Sequence, residues 1–393
     1  MQRILISAAH KSSGKTTLTI GLCAALRARA LNVQSYKKGP DYIDPMWLSR
    51  ASNRDCHNLD FQTMTNDEML ATISFYSKDA DISIIEGNKG LFDGVAIDGS
   101  NSNAAIAEIT KSPVILVIDT QGMTRGIAPL LLGYQAFDKN INIAGVILNK
   151  VGGPRHEKKL RDVIKQYTNI TVVGAVPKLK DLNITERHLG LIPSNEATDT
   201  RSVIDNIAVV IEKYVDLDLL LNIAGAAPAL PETDYKISTR AKPLSLKVGI
   251  ARDAAFGFYY PGDMNAFRNE GVELIDIDTL NDKDLPEIDG LFIGGGFPES
   301  WMQELESNTS LRQQIKDAIE AGLPTYAECG GLMYLSQSIS WKGKKSEMVG
   351  AIPAEIIMNE RPQGRGYVSL QQTQDALWKK QSSASKIYAH EFH

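Results

Sequence analysis

The sequence is poor in the residues that mark secreted, membrane and nucleic-acid-binding proteins. Its 393 residues include 3 cysteines (Cys23, Cys56 and Cys329), whose number and spacing match neither a disulfide framework nor a zinc site. No apolar run approaches the ~20 residues needed to span a bilayer, and no signal-peptide pattern precedes the first predicted strand. The net charge of −5 shows no basic excess, which argues against nucleic acid or a membrane surface as the main partner. We therefore expect a reduced, cytoplasmic protein that acts on small molecules.

The residue pattern divides the chain into two α/β halves. A length of 393 residues exceeds one ordinary core, so we expect two domains of roughly 150–200 residues. Strands that are apolar nearly throughout indicate parallel sheets covered on both faces. We predict an α/β fold of two doubly wound domains, residues 1–222 and 246–393, joined by a linker over 223–245. The predicted strands are Arg3–Ser7, Val33–Lys37, Ile82–Glu86, Val114–Asp119, Ile143–Asn149, Thr171–Val176, Lys247–Ala251, Val272–Asp276, Gly290–Ile293 and Pro324–Ala327, and the clearest helices are Lys15–Ala30 and Ile127–Phe137.

The first predicted strand runs into Gly14-Lys15-Thr16, which indicates a phosphate-binding loop. Ala9 stands where the first glycine of that motif is expected, which is tolerable if this residue has a negative φ. Backbone N–H groups at the helix N-terminus would cradle phosphates, Lys15 would reach the β- and γ-phosphates, and the Thr16 hydroxyl would bind Mg²⁺. We predict ATP and Mg²⁺ as cofactors, with the nucleotide site formed by Lys11, Gly14, Lys15, Thr16 and Thr17.

Charged residues follow three other predicted strands, at the edge where ligands bind open α/β sheets. One segment contains two lysines and two aspartates around Gly39-Pro40, namely Lys37, Lys38, Asp41 and Asp44, and another contains Glu86 and Asp93 in a glycine-rich stretch. Alone the first segment could be a solvated turn, but beside a phosphate loop it indicates a site for a polyanionic substrate and a metal. A carboxylate opposite a phosphate loop commonly completes the Mg²⁺ shell. We predict Asp41 and Glu86 as metal ligands with Thr16, and Asp93 and Lys37 as groups facing the reacting atoms. Asn149, which ends a further strand, is predicted to read a purine edge, although an ordinary strand end explains it equally well.

Cys329 lies between a predicted strand and Gly330-Gly331. A nucleophile on a strand-to-helix turn needs small neighbours, and the helix N-terminus is expected to lower the thiol pKa. The strand Gly290–Ile293 leads into three glycines, of which Gly295 and Gly296 are the predicted oxyanion donors. The closing segment Tyr388–His393 supplies His390 and His393 as candidate bases.

With these motifs assembled, the chain resembles the cobyrinic acid a,c-diamide synthase family of corrinoid biosynthesis. That family joins a dethiobiotin-synthetase-like ATP domain to a class I glutamine amidotransferase-like domain. The resemblance covers nearly the whole chain. It rests on Gly39–Pro45, Glu86–Gly94, Arg187–Leu191, Ala251–Tyr260, Gly294–Glu299 and His390–His393.

The resemblance implies a two-site reaction in cobalamin (vitamin B12) biosynthesis. Cys329, assisted by His393, would release ammonia from glutamine. The first domain would hold Mg-ATP while a carboxylate of cobyrinic acid takes the γ-phosphoryl group, and ammonia would then displace phosphate. The implied partners are cobyrinic acid or a related tetrapyrrole, glutamine and ATP, and we expect a monomer or homodimer.

Two alternatives remain open at this point. The same architecture could amidate hydrogenobyrinic acid or nickel sirohydrochlorin, or the chain could be an ATP-dependent switch whose second half only binds partners. His10 stands where partition ATPases have a signature lysine, which counts against the switch. The chain ends at His393 whereas family members continue, so we expect a truncated second domain and a poorly held base. We expect weakened synthesis from glutamine and retained synthesis from ammonia.

Overall fold

A computed structural model of the protein describes residues 1–178, 186–187, 190–196, 199–237, 244–371 and 386–392. The chain divides into two compact units, Met1–Ile237 and Ser238–His393. Each unit is built around a parallel sheet, as the apolar strand pattern predicts.

The first unit contains a parallel sheet of seven strands in the order β3-β2-β4-β1-β5-β6-β7. These strands are β1 (Arg3–Ala8), β2 (Val33–Lys38), β3 (His57–Leu59), β4 (Ile82–Glu86), β5 (Val114–Asp119), β6 (Ile143–Val151) and β7 (Thr171–Pro177). The helices are α1 (Lys15–Ala28), α2 (Ile43–Ser52), α3 (Asn66–Tyr76), α4 (Asn103–Thr110), α5 (Ile127–Phe137), α6 (Pro154–Tyr167), α7 (Thr200–Tyr214) and α8 (Leu217–Gly225). A short antiparallel pair, β8 (Glu186–Arg187) and β9 (Gly190–Leu191), lies between β7 and α7.

Two apolar clusters cover the faces of this sheet. One face packs against α1, α2, α7 and α8, and the other packs against α3, α4, α5 and α6. Strands β1 and β4 are buried along their full length. Because parallel strands end at the same edge, the loops after β1, β2, β4 and β6 meet there.

The first unit differs from the sequence prediction in two places. The edge strand β3 is only three residues long, too short for its pattern to stand out. Residues 223–237, predicted as linker, lie with the first unit. The reason is specific contacts: the Arg3 guanidinium donates to the Pro228 carbonyl at 2.6 Å, and Leu230 packs against the core.

The second unit contains a parallel sheet of four strands in the order β12-β10-β13-β15. Its strands are β10 (Lys247–Ala251), β11 (Phe256–Phe258), β12 (Glu273–Ile277), β13 (Gly290–Ile293), β14 (Gly295–Gly296), β15 (Thr325–Ala327), β16 (Ser338–Trp341), β17 (Lys344–Glu347), β18 (Glu355–Ile357), β19 (Arg365–Leu370) and β20 (Ile387–Phe392). Its helices are α9 (Pro261–Asn269), α10 (Met302–Ser307), α11 (Thr309–Glu320) and α12 (Gly330–Leu335).

Three small sheets accompany the parallel sheet of the second unit: β11 with β14, β17-β16-β18, and β19 with β20. Strands β13 and β15 are neighbours, with Ile293 opposite Ala327. The glycines after β13 and the cysteine after β15 therefore lie side by side. In the described parts of both units, no helix is long and apolar enough to cross a bilayer.

Candidate active sites

The loop after β1 has the backbone of a phosphate-binding loop. Gly14 directly precedes α1 and has φ +84°, a conformation that favours glycine. A Cβ on Gly14 would lie 2.2 Å from the Asn149 side-chain nitrogen. Ala9 is not among the residues with positive φ, so an alanine fits at the place of the missing first glycine.

Asn149 reaches this loop from the end of β6, but its amide is engaged with the protein. Its Nδ2 donates to the Ser13 carbonyl at 2.8 Å, and its Oδ1 accepts from the Lys150 amide at 2.9 Å. The structure thus shows Asn149 tying β6 to the loop, whereas purine recognition by this residue stays a prediction. Lys11 is exposed on the loop and Thr17 lies in the first turn of α1.

Glu86 is the centre of the polar cluster at this edge. It is fully buried, and register places it opposite both Ile6 of β1 and Lys37 of β2. Its Oε1 accepts from the Thr16 hydroxyl at 2.7 Å, Lys37 Nζ at 3.0 Å and Lys15 Nζ at 3.3 Å. Its Oε2 is buried and has no hydrogen-bond partner in the described part of the chain.

Asp44 is a member of this cluster that the sequence analysis placed in the charged segment but did not choose as a metal ligand. Its Oδ2 lies 3.1 Å from the Thr16 hydroxyl oxygen, whose one proton goes to the nearer Glu86, and it accepts from Lys37 Nζ. Asp41, predicted as a metal ligand, lies farther out, with 3.7 Å between its Oδ2 and Lys37 Nζ. Its Oδ1 accepts from the Asp44 amide at 3.1 Å. Asp44 lies three residues after Asp41, in the first turn of α2. This position could have distinguished it from Asp41 in the sequence.

The charges in the cluster shift one another's pKa values. Burial opposes charge on Lys37, but Asp44, Glu86 and Asp41 outweigh it and raise the Lys37 pKa well above its usual value. Burial likewise opposes charge on Asp44, yet Lys37 holds the pKa of that carboxyl below its usual value. Burial and the neighbouring Asp44 charge raise the pKa of Asp41 to about 6. The directions of these shifts favour a charged Lys37 and a charged Asp44 at neutral pH, as a site for a metal and a polyphosphate requires.

The donor set fits Mg²⁺. Thr16, Asp44 and Glu86 offer one hydroxyl and two carboxylates, and hard oxygen donors of this kind are the ones that Mg²⁺ prefers. The buried, unpartnered Oε2 of Glu86 is the observation that supports this fit, because such an oxygen is costly without a partner.

The loop after β4 carries Asp93. The Asp93 Oδ2 accepts from the Gly90 amide at 3.0 Å, and the residue is exposed. Asn103, a residue that the sequence analysis missed, fixes the same loop from α4. It is fully buried, donates to the Gly90 carbonyl at 2.7 Å and accepts from the Asn88 amide at 3.0 Å.

In the second unit, Cys329 occupies a strained turn between β15 and α12. Its φ of 49° and ψ of −117° lie outside the ordinary regions for a side-chain-bearing residue. The glycines after it are required by space: a Cβ on Gly331 would lie 2.2 Å from the Ile293 carbonyl oxygen, and one on Gly330 would lie 3.0 Å from the Gly296 nitrogen. This is the geometry of a nucleophile turn.

The pKa of the Cys329 thiol is raised, contrary to the expectation from the helix N-terminus. The main cause is desolvation by the protein atoms packed around the sulfur, although the residue keeps solvent-accessible surface. The Glu328 and Glu299 carboxylates add to the rise. The backbone N–H groups of Gly330 and Gly296 act in the opposite direction. A helix of six residues supplies too small a field to reverse the effect of burial.

Of the two candidate bases for Cys329, the structure describes one. His390 lies in β20 opposite Tyr367, and His393, the predicted base, lies outside the described residues. Cys23 and Cys56 are buried, whereas Cys329 is exposed.

Both halves of the chain match known families. Residues 2–186 match the AAA domain family, and residues 247–393 match the CobB/CobQ-like glutamine amidotransferase domain family. A chloroplast FtsY structure from Physcomitrella patens aligns with 52% of this chain and 65% of its own at 16% identity, with a TM-score of 0.33.

Full-length similarity is found to proteins named cobyrinate a,c-diamide synthase. The protein from Magnetococcus marinus is 44% identical over 100% of this chain and 84% of its own length. Those from Listeria innocua and Archaeoglobus fulgidus are 40% and 39% identical, again over 100% of this chain and over 87% and 85% of their own lengths. The fold is thus a P-loop NTPase-like unit followed by a glutamine amidotransferase-like unit, and the chain belongs to the cobyrinate a,c-diamide synthase family.

Proposed function

We propose that this chain catalyses the ATP- and glutamine-dependent amidation of the a and c acetate carboxylates of cobyrinic acid, a carbon–nitrogen ligase reaction of cobalamin biosynthesis. The observation that supports it most is the convergence of Lys15, Thr16 and Lys37 on Glu86 in one unit, with Asp44 accepting from the same Lys37, and a nucleophile turn at Cys329 in the other. The first arrangement suits phosphoryl transfer, and the second suits release of ammonia.

In the first unit, the proposed reaction activates a carboxylate that is otherwise a poor acyl donor. A carboxylate oxygen of the tetrapyrrole attacks the γ-phosphorus of ATP, ADP leaves, and an acyl phosphate forms. Lys15 and Lys37 stabilise the negative charge of the transferring phosphoryl group, and the loop N–H groups hold the phosphates. Ammonia then attacks the acyl carbon and inorganic phosphate leaves, which yields the amide. Asp93 is proposed to face the reacting groups.

Mg²⁺ would be held by Thr16, Asp44 and Glu86, with Asp41 next to them, and would neutralise charge on the β- and γ-phosphates. Lys37 keeps its proton throughout, because three carboxylates raise its pKa. Its role is therefore electrostatic and not that of a base.

In the second unit, the Cys329 sulfur attacks the side-chain amide carbon of glutamine. The N–H groups of Gly295 and Gly296 are proposed to stabilise the oxyanion. Ammonia leaves and a glutamyl thioester remains, which water hydrolyses to glutamate and free thiol. His393 is the proposed base for this half-reaction.

A coupled assay tests both halves together. The protein is incubated with cobyrinic acid, Mg-ATP and either glutamine or an ammonium salt, and the product is followed by mass spectrometry. We expect a mass decrease of about one unit per amidation, together with ADP and phosphate. Absence of product from both nitrogen sources would contradict the proposal.

A panel of tetrapyrroles defines the substrate. Cobyrinic acid, hydrogenobyrinic acid and nickel sirohydrochlorin are compared by kcat/KM under identical conditions. We expect cobyrinic acid to have the highest value, and a higher value for either of the others would reassign the substrate while keeping the chemistry.

A further inference from the structure

Tyr259 places its hydroxyl between the ends of two neighbouring strands of the second unit. It follows β11, and its oxygen lies 2.6 Å from the Ala251 carbonyl at the end of β10 and 3.0 Å from the Gly294 amide just after β13. The Phe292 carbonyl is farther away, at 3.4 Å. The single hydroxyl proton is therefore donated to Ala251, and the oxygen accepts the Gly294 N–H.

The Gly294 peptide group connects this hydroxyl to the nucleophile turn. While its N–H is held by Tyr259, its carbonyl accepts from the Gly331 amide at 3.0 Å. The preceding carbonyl, of Ile293, accepts from the Glu328 amide at 3.1 Å. The residues on both sides of Cys329 are thus hydrogen-bonded to the segment that Tyr259 fixes.

The same segment carries the predicted oxyanion donors. Gly295 and Gly296 follow Gly294 directly, and a Cβ on Gly295 would lie 3.3 Å from the Cys329 Cβ. The Gly296 N–H opposes the rise of the Cys329 thiol pKa that burial causes. A Cβ on Gly294 would lie 2.7 Å from the Tyr259 ring, so the ring and the loop are in close contact. The Tyr259 ring is itself held edge-on by Phe292, with 5.1 Å between centroids.

We propose that Tyr259 is a positioning residue of the glutamine half-reaction, whose hydroxyl sets the orientation of the Gly294–Gly296 backbone toward the Cys329 turn. This inference rests on the proposed function, because it assumes that the turn hydrolyses glutamine. The hydroxyl does not touch the substrate. It acts by keeping the N–H donors aimed at the place where negative charge develops, and preorganised donors are worth most in such a site.

The test compares Tyr259→Phe with Tyr334→Phe. The first variant removes the bridging hydroxyl and keeps the ring. Tyr334 is fully buried in α12 of the same unit, and its hydroxyl makes no hydrogen bond within the residues described, so it is a matched control. Each variant is assayed for glutamate release from glutamine, for synthesis from ammonium, and for alkylation of Cys329 by iodoacetamide, a displacement that forms no oxyanion.

For Tyr259→Phe we expect kcat for glutamine hydrolysis to fall about tenfold, with KM changed less than about twofold. Synthesis from ammonium is expected to stay within about twofold of the parent protein, because it does not use the donors. Alkylation of Cys329 is expected to fall less than glutamine hydrolysis, because it forms no oxyanion and depends on the Gly296 N–H only through the thiol pKa. Tyr334→Phe is expected to match the parent in all three assays. Gly294→Ala, which disturbs the same contact from the other side, is expected to repeat the selective loss.

The proposal is overturned if Tyr259→Phe hydrolyses glutamine at the parent rate, if only KM changes, or if alkylation falls in parallel with hydrolysis. Thermal unfolding of both variants shows whether the unit still folds. If the parent chain itself releases no glutamate, the proposed function fails instead, and the two failures are therefore distinct.

Discussion

At the scale of single residues, the first unit buries lysines and carboxylates together around Glu86. Each of these charges would reduce the free energy of unfolding if it were buried alone. Glu86 is fully buried, and Lys37 nearly so. A buried ion pair costs stability unless its hydrogen bonds are satisfied, and one oxygen of Glu86 is not. Polar groups held in this incomplete state are frequent at functional sites.

The metal assignment can be tested by comparing Asp44→Asn with Asp41→Asn. Asp44 accepts a hydrogen bond from Lys37 and lies 3.1 Å from the Thr16 hydroxyl oxygen, whereas Asp41 lies 3.7 Å from Lys37. We expect Asp44→Asn to raise the Mg²⁺ concentration for half-maximal synthesis by roughly 10- to 100-fold, and Asp41→Asn to raise it less. Titration of the ammonium-dependent rate with MgCl₂ measures this.

Melting temperatures of the two variants serve as the control, because Asp44→Asn also leaves the Lys37 charge with fewer partners. If Asp41→Asn raised the Mg²⁺ concentration for half-maximal synthesis more than Asp44→Asn did, Asp41 and not Asp44 would be the metal ligand.

The raised pKa of Cys329 predicts a pH-dependent reactivity. The thiolate is the reacting form, and burial shifts the equilibrium toward the thiol. In the absence of glutamine, we expect the rate of alkylation by iodoacetamide to rise with pH, with a midpoint above the ~8.5 of a free cysteine. Mass spectrometry of Cys329 after timed alkylation between pH 6 and pH 10 gives the profile. A midpoint near neutrality would contradict it.

Single residues were predictable where a motif names them, as for Lys15, Thr16 and Glu86. They were not predictable where the role depends on distance. Asp44 and Asp41 are chemically equivalent in the sequence, and only the start of α2 puts Asp44 beside Thr16. For Cys329, the motif indicates the turn, but the balance between burial and the N–H groups needs the coordinates.

At the scale of elements, the edge strand β3 contains a buried histidine. His57 is 3% exposed and stacks on Tyr76 with 3.6 Å between ring centroids. Burial, with a smaller contribution from Arg54, lowers its pKa from 6.5 to about 4. The folded protein therefore holds this imidazole neutral where an unfolded chain would protonate it.

This histidine predicts an acid-labile first unit. Between about pH 6.5 and pH 4 the unfolded chain binds more protons at His57 than the folded chain. The free energy of unfolding therefore decreases as pH falls through that window, by up to about 3 kcal/mol from this group. Urea unfolding of the parent and of His57→Phe at pH 7.5 and pH 4.5 measures the difference. We expect a smaller loss of stability for the variant, and equal losses would show that His57 does not titrate in this way.

Elements were predicted better than their edges. Ile82–Glu86, Val114–Asp119 and Gly290–Ile293 are predicted and observed with the same bounds, because mainly apolar runs between polar or turn-forming residues leave little ambiguity. The missed elements are short. The strand β3 has three residues. Helix α8 has nine residues and ends at Gly225, inside the predicted linker, with Leu217 and Leu220 buried.

At the scale of the whole molecule, the chain combines two units that can be tested independently. Cys329→Ser removes the nucleophile of one unit and leaves the other unit unchanged. We expect synthesis from glutamine to fall by at least about a thousandfold, while synthesis from ammonium stays near the parent rate. Equal losses with both nitrogen sources would contradict the assignment of Cys329 to ammonia release.

The number of reactive cysteine thiols also reports whether the protein is folded. Cys23 and Cys56 have no exposed surface in the core of the first unit, and Cys329 is exposed on the second. One thiol of the native protein should therefore react rapidly with a disulfide reagent, and three thiols should react after unfolding. The two slow equivalents report the opening of the first unit alone. The reaction rate of these two buried thiols therefore measures unfolding of the first unit without an engineered probe.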